Sequence, residues 1–171
     1  MIRCLAWVAY LGLFLPLAAC GADDNRIPAD VLAALEKGQT LELISLDHAR
    51  PVAAKEGEVK QDDGETLHGW KVLGNTVLKD AKDRGKLLAA LQTGVRESDG
   101  TAAKCFNPRH ALRASHGGKV YEVVICFECF SAAIHIDGKR EPGFLLNRSP
   151  QPTFDALLKE AKVPLPKGAG K

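Results

Sequence analysis

The stretch CFNPRHALRASHGGKVYEVVICFECFSAAIHI, residues 105–136, decides the fold. Its second half is dense in Val, Ile, Phe and Tyr, the residue types that suit a pleated, half-buried surface. His116-Gly117-Gly118-Lys119 interrupts it with a turn, so the stretch reads as a β-hairpin with arms Cys105 to Ala114 and Val120 to Ile136. A turn that sets Ser115 opposite Val120 makes paired residue numbers sum to a constant. Arg109 then faces Cys126, Phe106 faces Cys129, and Cys105 is a diagonal neighbour of Cys129. Pro108 has no N–H to donate, so a ladder break is expected beside it.

Outward from the hairpin, Asp137-Gly138 is a second turn and Phe144-Leu145-Leu146 a third strand of the same meander. Ser149-Pro150 suits a helix start, and Phe154, Leu157, Leu158 and Ala161 make an i, i+3, i+4, i+7 stripe for a closing helix. Toward the N-terminus, Asp80 is a candidate cap for a helix through Gln92, with Leu87, Leu88 and Leu91 as its apolar face and Gly94 as its stop. Trp70, Val72, Val77 and Leu78 suggest a strand interrupted at Gly74-Asn75, and His48 to His68 reads as a long polar loop or exposed hairpin. Thr40 to Leu46 alternates imperfectly, as a bulged strand would. Before it, Pro28, Val31, Leu32, Leu35 and Gly38 mark a short helix and its stop. The expectation is a single α+β domain over 28–166, a mainly antiparallel sheet with a C-terminal hairpin or meander covered by two or three helices.

The first twenty residues have a different purpose. Arg3, an apolar run from Cys4 to Leu15 and the small-residue end Leu17-Ala18-Ala19 form a secretory signal, too short for a membrane span of ~20 residues. Leu17-Ala18-Ala19-Cys20 resembles the lipobox of bacterial lipoproteins. That resemblance implies a signal peptide over 1–19, acyl chains on Cys20, a lipid-anchored tether over 20–27 and a bilayer as partner. An ordinary secretory signal that leaves Cys20 a plain thiol is the plainer reading. Gly21 stands where Gram-negative lipoproteins kept in the inner membrane usually carry Asp, which points to the periplasmic face of the outer membrane. Residues 167–171 complete the chain as a tail.

Composition narrows function without naming it. An apolar share of 46% is ordinary for a folded protein, and 23 basic against 21 acidic residues leave a charge of +2, too small for a nucleic-acid-binding surface. No G-x-G-x-x-G, Walker loop, G-x-S-x-G or H-E-x-x-H is present, and Phe130 follows Cys126-Phe127-Glu128-Cys129 where covalent haem needs His. The histidines are scattered, and His48 and His68 at the two ends of the polar loop read as solvated surface.

One cluster stands out. Cys105-Phe106-Asn107-Pro108-Arg109-His110 and Cys126-Phe127-Glu128-Cys129, with Gly69 to Gly74 before them, resemble a family of small exported bacterial lipoproteins of uncharacterised activity, with C-F-x-P-R-H and C-F-E-C signatures. The resemblance runs from about Leu41 to Pro164 and implies no activity. The residues themselves leave four readings open. A structural disulfide joins Cys105 to Cys126 or Cys129, the register favouring Cys129, because Cys126 and Cys129 in one extended strand point to opposite faces. A zinc site of the Cys3His type takes Cys105, Cys126, Cys129 and His110. A thiol-redox site uses the same sulfurs, although a helix N-terminus is the usual setting for a reactive C-x-x-C. Buried free thiols are the fourth. Arg109 and Glu128 make either a polar ligand pair or, more simply, a cross-strand ion pair. The expected function is a non-enzymatic binding or assembly module of the cell envelope with an envelope protein as partner and no cofactor. Its alternative is a zinc-binding or thiol-redox protein built on the Cys/His cluster.

Overall fold

A computed structural model describes residues 25–48 and 64–165. The signal, Cys20, most of the tether, residues 49–63 and the tail lie outside these. The described chain is α+β, with three helices and a seven-stranded antiparallel sheet. In chain order the elements are α1 (Ala29–Lys37), β1 (Thr40–Asp47), β2 (Thr66–Leu67), β3 (Trp70–Val77), α2 (Ala81–Arg96), β4 (His110–His116), β5 (Lys119–Cys126), β6 (Ser131–Ile136), β7 (Lys139–Leu145) and α3 (Gln151–Glu160). The strand order is β2-β3-β1-β4-β5-β6-β7.

The hairpin register follows from the Gly-Gly turn: Ser115 pairs with Val120 and His110 with Ile125. The apolar run from Val120 to Ile136, however, is two strands rather than one arm. Phe127 to Phe130 form a turn in which Phe130 takes φ +55°, and Ser131 returns to pair with Cys126. No Gly or Asn signals this reversal; the backbone N–H of Cys129 closes it on the Cys126 carbonyl at 3.2 Å. β1 carries its bulge between Ser45 and Leu46. β3 runs unbroken through Gly74-Asn75, since Asn75 and Gly74 pair with Ile44 and Ser45 of β1. α2 begins at Asp80, whose carboxylate accepts the Lys82 and Asp83 amides, but it passes Gly94 and ends at Arg96. A Cβ on Gly94 would collide with the Pro150 ring, so this glycine admits the start of α3 instead of stopping α2.

The helices cover one face of the sheet. Val31, Leu35, Leu87, Leu91, Phe154 and Leu158 pack there on Leu41, Leu43, Leu112, Val123, Ile125 and Ile134, which alternate inward along β1, β4, β5 and β6. The opposite face holds a smaller cluster of Ile44, Leu46, Leu67, Trp70, Ala111, Val124 and Ala133. Curling of the sheet makes that cluster possible. His68, in the β2–β3 turn, stacks on His135 of β6 at 3.5 Å and hydrogen-bonds Glu122 of β5 at 2.7 Å. In a flat sheet β3 would lie three or four strand spacings of ~4.8 Å from those strands.

Candidate functional site

The signature residues converge at one end of the sheet. Pro108 precedes β4, where the chain leaves its irregular 97–109 segment, and Arg109 hands its amide to the Ile125 carbonyl at 3.3 Å. Ala103 donates to the Cys129 carbonyl at 3.1 Å, which lays the segment bearing Cys105 against the β5–β6 turn.

Three sulfurs meet there. Cys126 and Cys129 are joined in a disulfide, with Cα atoms 5.2 Å apart. This overturns the expected bridge from Cys105. The reason is the turn at Phe127 to Phe130, which takes Cys129 out of the extended strand that would have pointed the two sulfurs apart. The hairpin register does bring Cys105 beside Cys129: their sulfurs are 3.6 Å apart, and Cys105 is free and exposed. Since Cys129 is oxidised, the Cys105 S–H is the donor in that contact. Backbone amides serve the other two sulfurs, Asn107 N–H donating to Cys129 Sγ at 3.4 Å and Cys129 N–H to Cys126 Sγ at 3.2 Å.

His110 is carried elsewhere by strand alternation. It faces the helix layer fully buried, its Nε2 is 2.9 Å from Asp155 Oδ1 of α3, and its ring packs edge-on to Phe127 and Phe154. With Nε2–H donating to the carboxylate, Nδ1 is left without a hydrogen-bond partner. A Cys3His arrangement is therefore not assembled. Among the described residues no group of three or more His, Cys, Asp or Glu side chains is placed to hold a metal ion.

Arg109 and Glu128 form an ion pair at 2.9 Å, the arginine nearly buried and the carboxylate half-exposed. Beside them lies a cavity of about 10 Å³ lined by Asn107, Arg109, His110, Phe127, Glu128 and Gln151. That is room for about one water molecule. Two of its lining residues carry a buried polar atom without a hydrogen-bond partner, Arg109 Nε and His110 Nδ1.

A second polar cluster sits on the face away from the helices. Arg113 lies 2.8 Å from Glu122, 3.5 Å from Glu42 and 3.8 Å from Glu65. Burial works against its charge, but the hydrogen bond to Glu122 and the three carboxylates outweigh this and raise its pKa. His135, stacked on His68, is pushed below the ordinary imidazole range by burial first and then by the charges of His68 and Arg140, with Glu122 opposing. This cluster and Asp155 were not singled out from the sequence. Asp155 carried a readable signal, because it lies three residues before Leu158 on the core side of the α3 stripe, where a carboxylate needs a partner. His68 carried none, since only the curl of the sheet brings it to Glu122.

No family model, curated protein or solved structure matches the chain.

Proposed function

We propose that the protein is a lipid-anchored component of a bacterial cell envelope, held through acyl chains on Cys20, and that it acts there as a binding or assembly module toward another envelope protein. The supporting observation is the way the chain enters the fold. Asn25 is stapled to the edge of the sheet: its Oδ1 accepts the Leu145 amide at 2.7 Å, and its Nδ2 donates to the Leu145 carbonyl at 3.0 Å. Asn25 lies five positions after Cys20, so at ~3.6 Å per step the tether reaches no more than about 18 Å. A lipidated Cys20 would hold this end of the domain against the bilayer surface.

The same end carries the signature residues. Leu145 pairs with Ser131, and Ser131 pairs with Cys126. The Cys126–Cys129 turn thus stands about two strand spacings, ~10 Å, from the strand that Asn25 grips. A partner meeting this surface would be a protein of the same membrane, and Gly21 after the acylated cysteine favours the periplasmic face of the outer membrane. The test is mass spectrometry of the N-terminal peptide from membrane-fractionated protein. A diacylated or triacylated Cys20, with release of the Cys20→Ala protein from the membrane fraction, is expected. An unmodified Cys20 overturns the reading, and density-gradient fractionation decides between the two membranes.

A further inference from the structure

We propose that Cys105, Cys129 and Cys126 form a single thiol–disulfide exchange centre, with Cys129 as its central sulfur and cysteine thiols of neighbouring envelope proteins as its substrates. Nothing in a structural disulfide needs a third sulfur in contact with it. Here the free thiol of Cys105 lies 3.6 Å from Cys129 Sγ, van der Waals range for an attacking sulfur. The three sulfurs also differ in access: Cys105 is exposed, whereas Cys126 and Cys129 are buried.

The exchange step conserves atoms and electrons. The Cys105 thiolate attacks Cys129 Sγ, a Cys105–Cys129 bond forms, the Cys126–Cys129 bond breaks, and Cys126 leaves as a thiolate that takes from solvent the proton Cys105 gave up. No oxidant or reductant is consumed. The backbone is arranged for this displacement, because the Cys129 amide points at the departing Cys126 Sγ at 3.2 Å and favours negative charge there. The Asn107 amide, 3.4 Å from Cys129 Sγ, does the same for the central sulfur when a later step releases it.

Moving the bridge changes what solvent meets. In the Cys126–Cys129 form the disulfide is buried and the outer sulfur is a thiol; in the Cys105–Cys129 form one sulfur of the disulfide is Cys105, at the surface. A substrate thiolate attacks Cys105 Sγ, forms a mixed disulfide with it and releases the Cys129 thiolate. A second substrate thiol then displaces Cys105, so one protein disulfide becomes two thiols while two substrate thiols become one disulfide. Exposure of Cys105 and burial of the other two make Cys105 the docking sulfur and Cys126 the internal leaving group. The strand pairings that put the turn near the Asn25 staple set this sulfur on the tethered side of the domain, where envelope proteins of the same membrane are within reach.

The experiment uses the full mature chain in detergent, equilibrated at mildly alkaline pH, quenched by acid, alkylated and mapped without reduction. Both bridges, Cys126–Cys129 and Cys105–Cys129, are expected in the unperturbed protein. Added glutathione is expected to form a mixed disulfide at Cys105, and disulfide loss in the Cys105→Ser protein is expected to slow about tenfold or more, since the remaining bridge is buried. Cys105 is exposed, so this variant tests the relay without disturbing the core, and its unchanged thermal transition is the control. Cys126→Ser is expected to trap the Cys105–Cys129 bridge under oxidised glutathione. A single Cys126–Cys129 species whose reduction rate ignores Cys105→Ser overturns the proposal, as does stoichiometric bound zinc on all three thiols. An unmodified Cys20 would defeat the anchoring proposal alone, because the exchange chemistry is read on the isolated chain.

Discussion

Truncating Phe154 tests whether α3 closes the domain at the signature end. Phe154 is fully buried, and its ring meets Phe127 edge-on at 5.3 Å and His110 at 5.8 Å. Phe154→Ala removes the ring's transfer free energy and leaves a cavity between α3 and the β5–β6 turn, together a loss of about 3–5 kcal/mol. Of this, the edge-on contact with Phe127 is worth about 0.5–1.5 kcal/mol, and a double-mutant cycle with Phe127→Ala should recover it as coupling. At about 3–4 °C per kcal/mol for a domain of this size, the melting temperature should fall by ~10–20 °C. Urea titration followed by circular dichroism supplies the free energy and calorimetry the temperature. Val77→Ala, at a side chain left 40% exposed, is the internal control and should change stability by less than about 0.5 kcal/mol. A loss below about 1 kcal/mol for Phe154→Ala would refute the packing argument, for it would mean that α3 can leave the sheet with its largest side chain at little cost.

Three further outcomes follow from the same contacts. Asp155→Ala leaves His110 Nε2 buried without its acceptor and should cost about 1–3 kcal/mol in urea titration, whereas Asp155→Asn keeps an oxygen for it and should cost less; equal losses would show that the hydrogen bond at 2.9 Å contributes nothing. Gly143→Ala drives a Cβ into the Ala132 carbonyl and should destabilise by at least about 1–3 kcal/mol, while Gly85→Ala, whose Cβ meets nothing within 4 Å inside α2, should stabilise by up to ~1 kcal/mol; a stabilised Gly143→Ala or a destabilised Gly85→Ala protein in a denaturant titration would break the argument. His135 has its folded pKa pushed below the ordinary 6.5 by burial and by His68 and Arg140, so the unfolded chain binds the proton more readily. Its contribution is then fully present above about pH 6.5 and lost as the pH falls below it, and the melting temperature should drop less between pH 7.5 and 5.5 in His135→Gln than in the unsubstituted protein.

Residue pattern alone encodes the local elements and the register of the β4–β5 hairpin. Gly117-Gly118 sets Ser115 opposite Val120 because a tight turn leaves the antiparallel ladder no other pairing, and the stripe Phe154, Leu157, Leu158 makes a helix with a face to bury. From that register the nearness of Cys105 to Cys129, and of Arg109 to Glu128, was legible. Which sulfurs bond is a matter of how the chain turns and packs. The turn at Phe127 to Phe130 has no Gly or Asn to announce its positive φ, so an apolar run that looks like one strand bends into two, and Cys126 and Cys129 meet in place of pointing apart. Alternation along β4 sends His110 to the helix layer, where only the docking of α3 supplies Asp155. Glu122 and His135 are cross-strand partners on β5 and β6, whereas His68 stands in the β2–β3 turn, far from both in sequence; the curl of the sheet brings it to them, and no local pattern of residues encodes a curl that depends on how seven strands twist on each other.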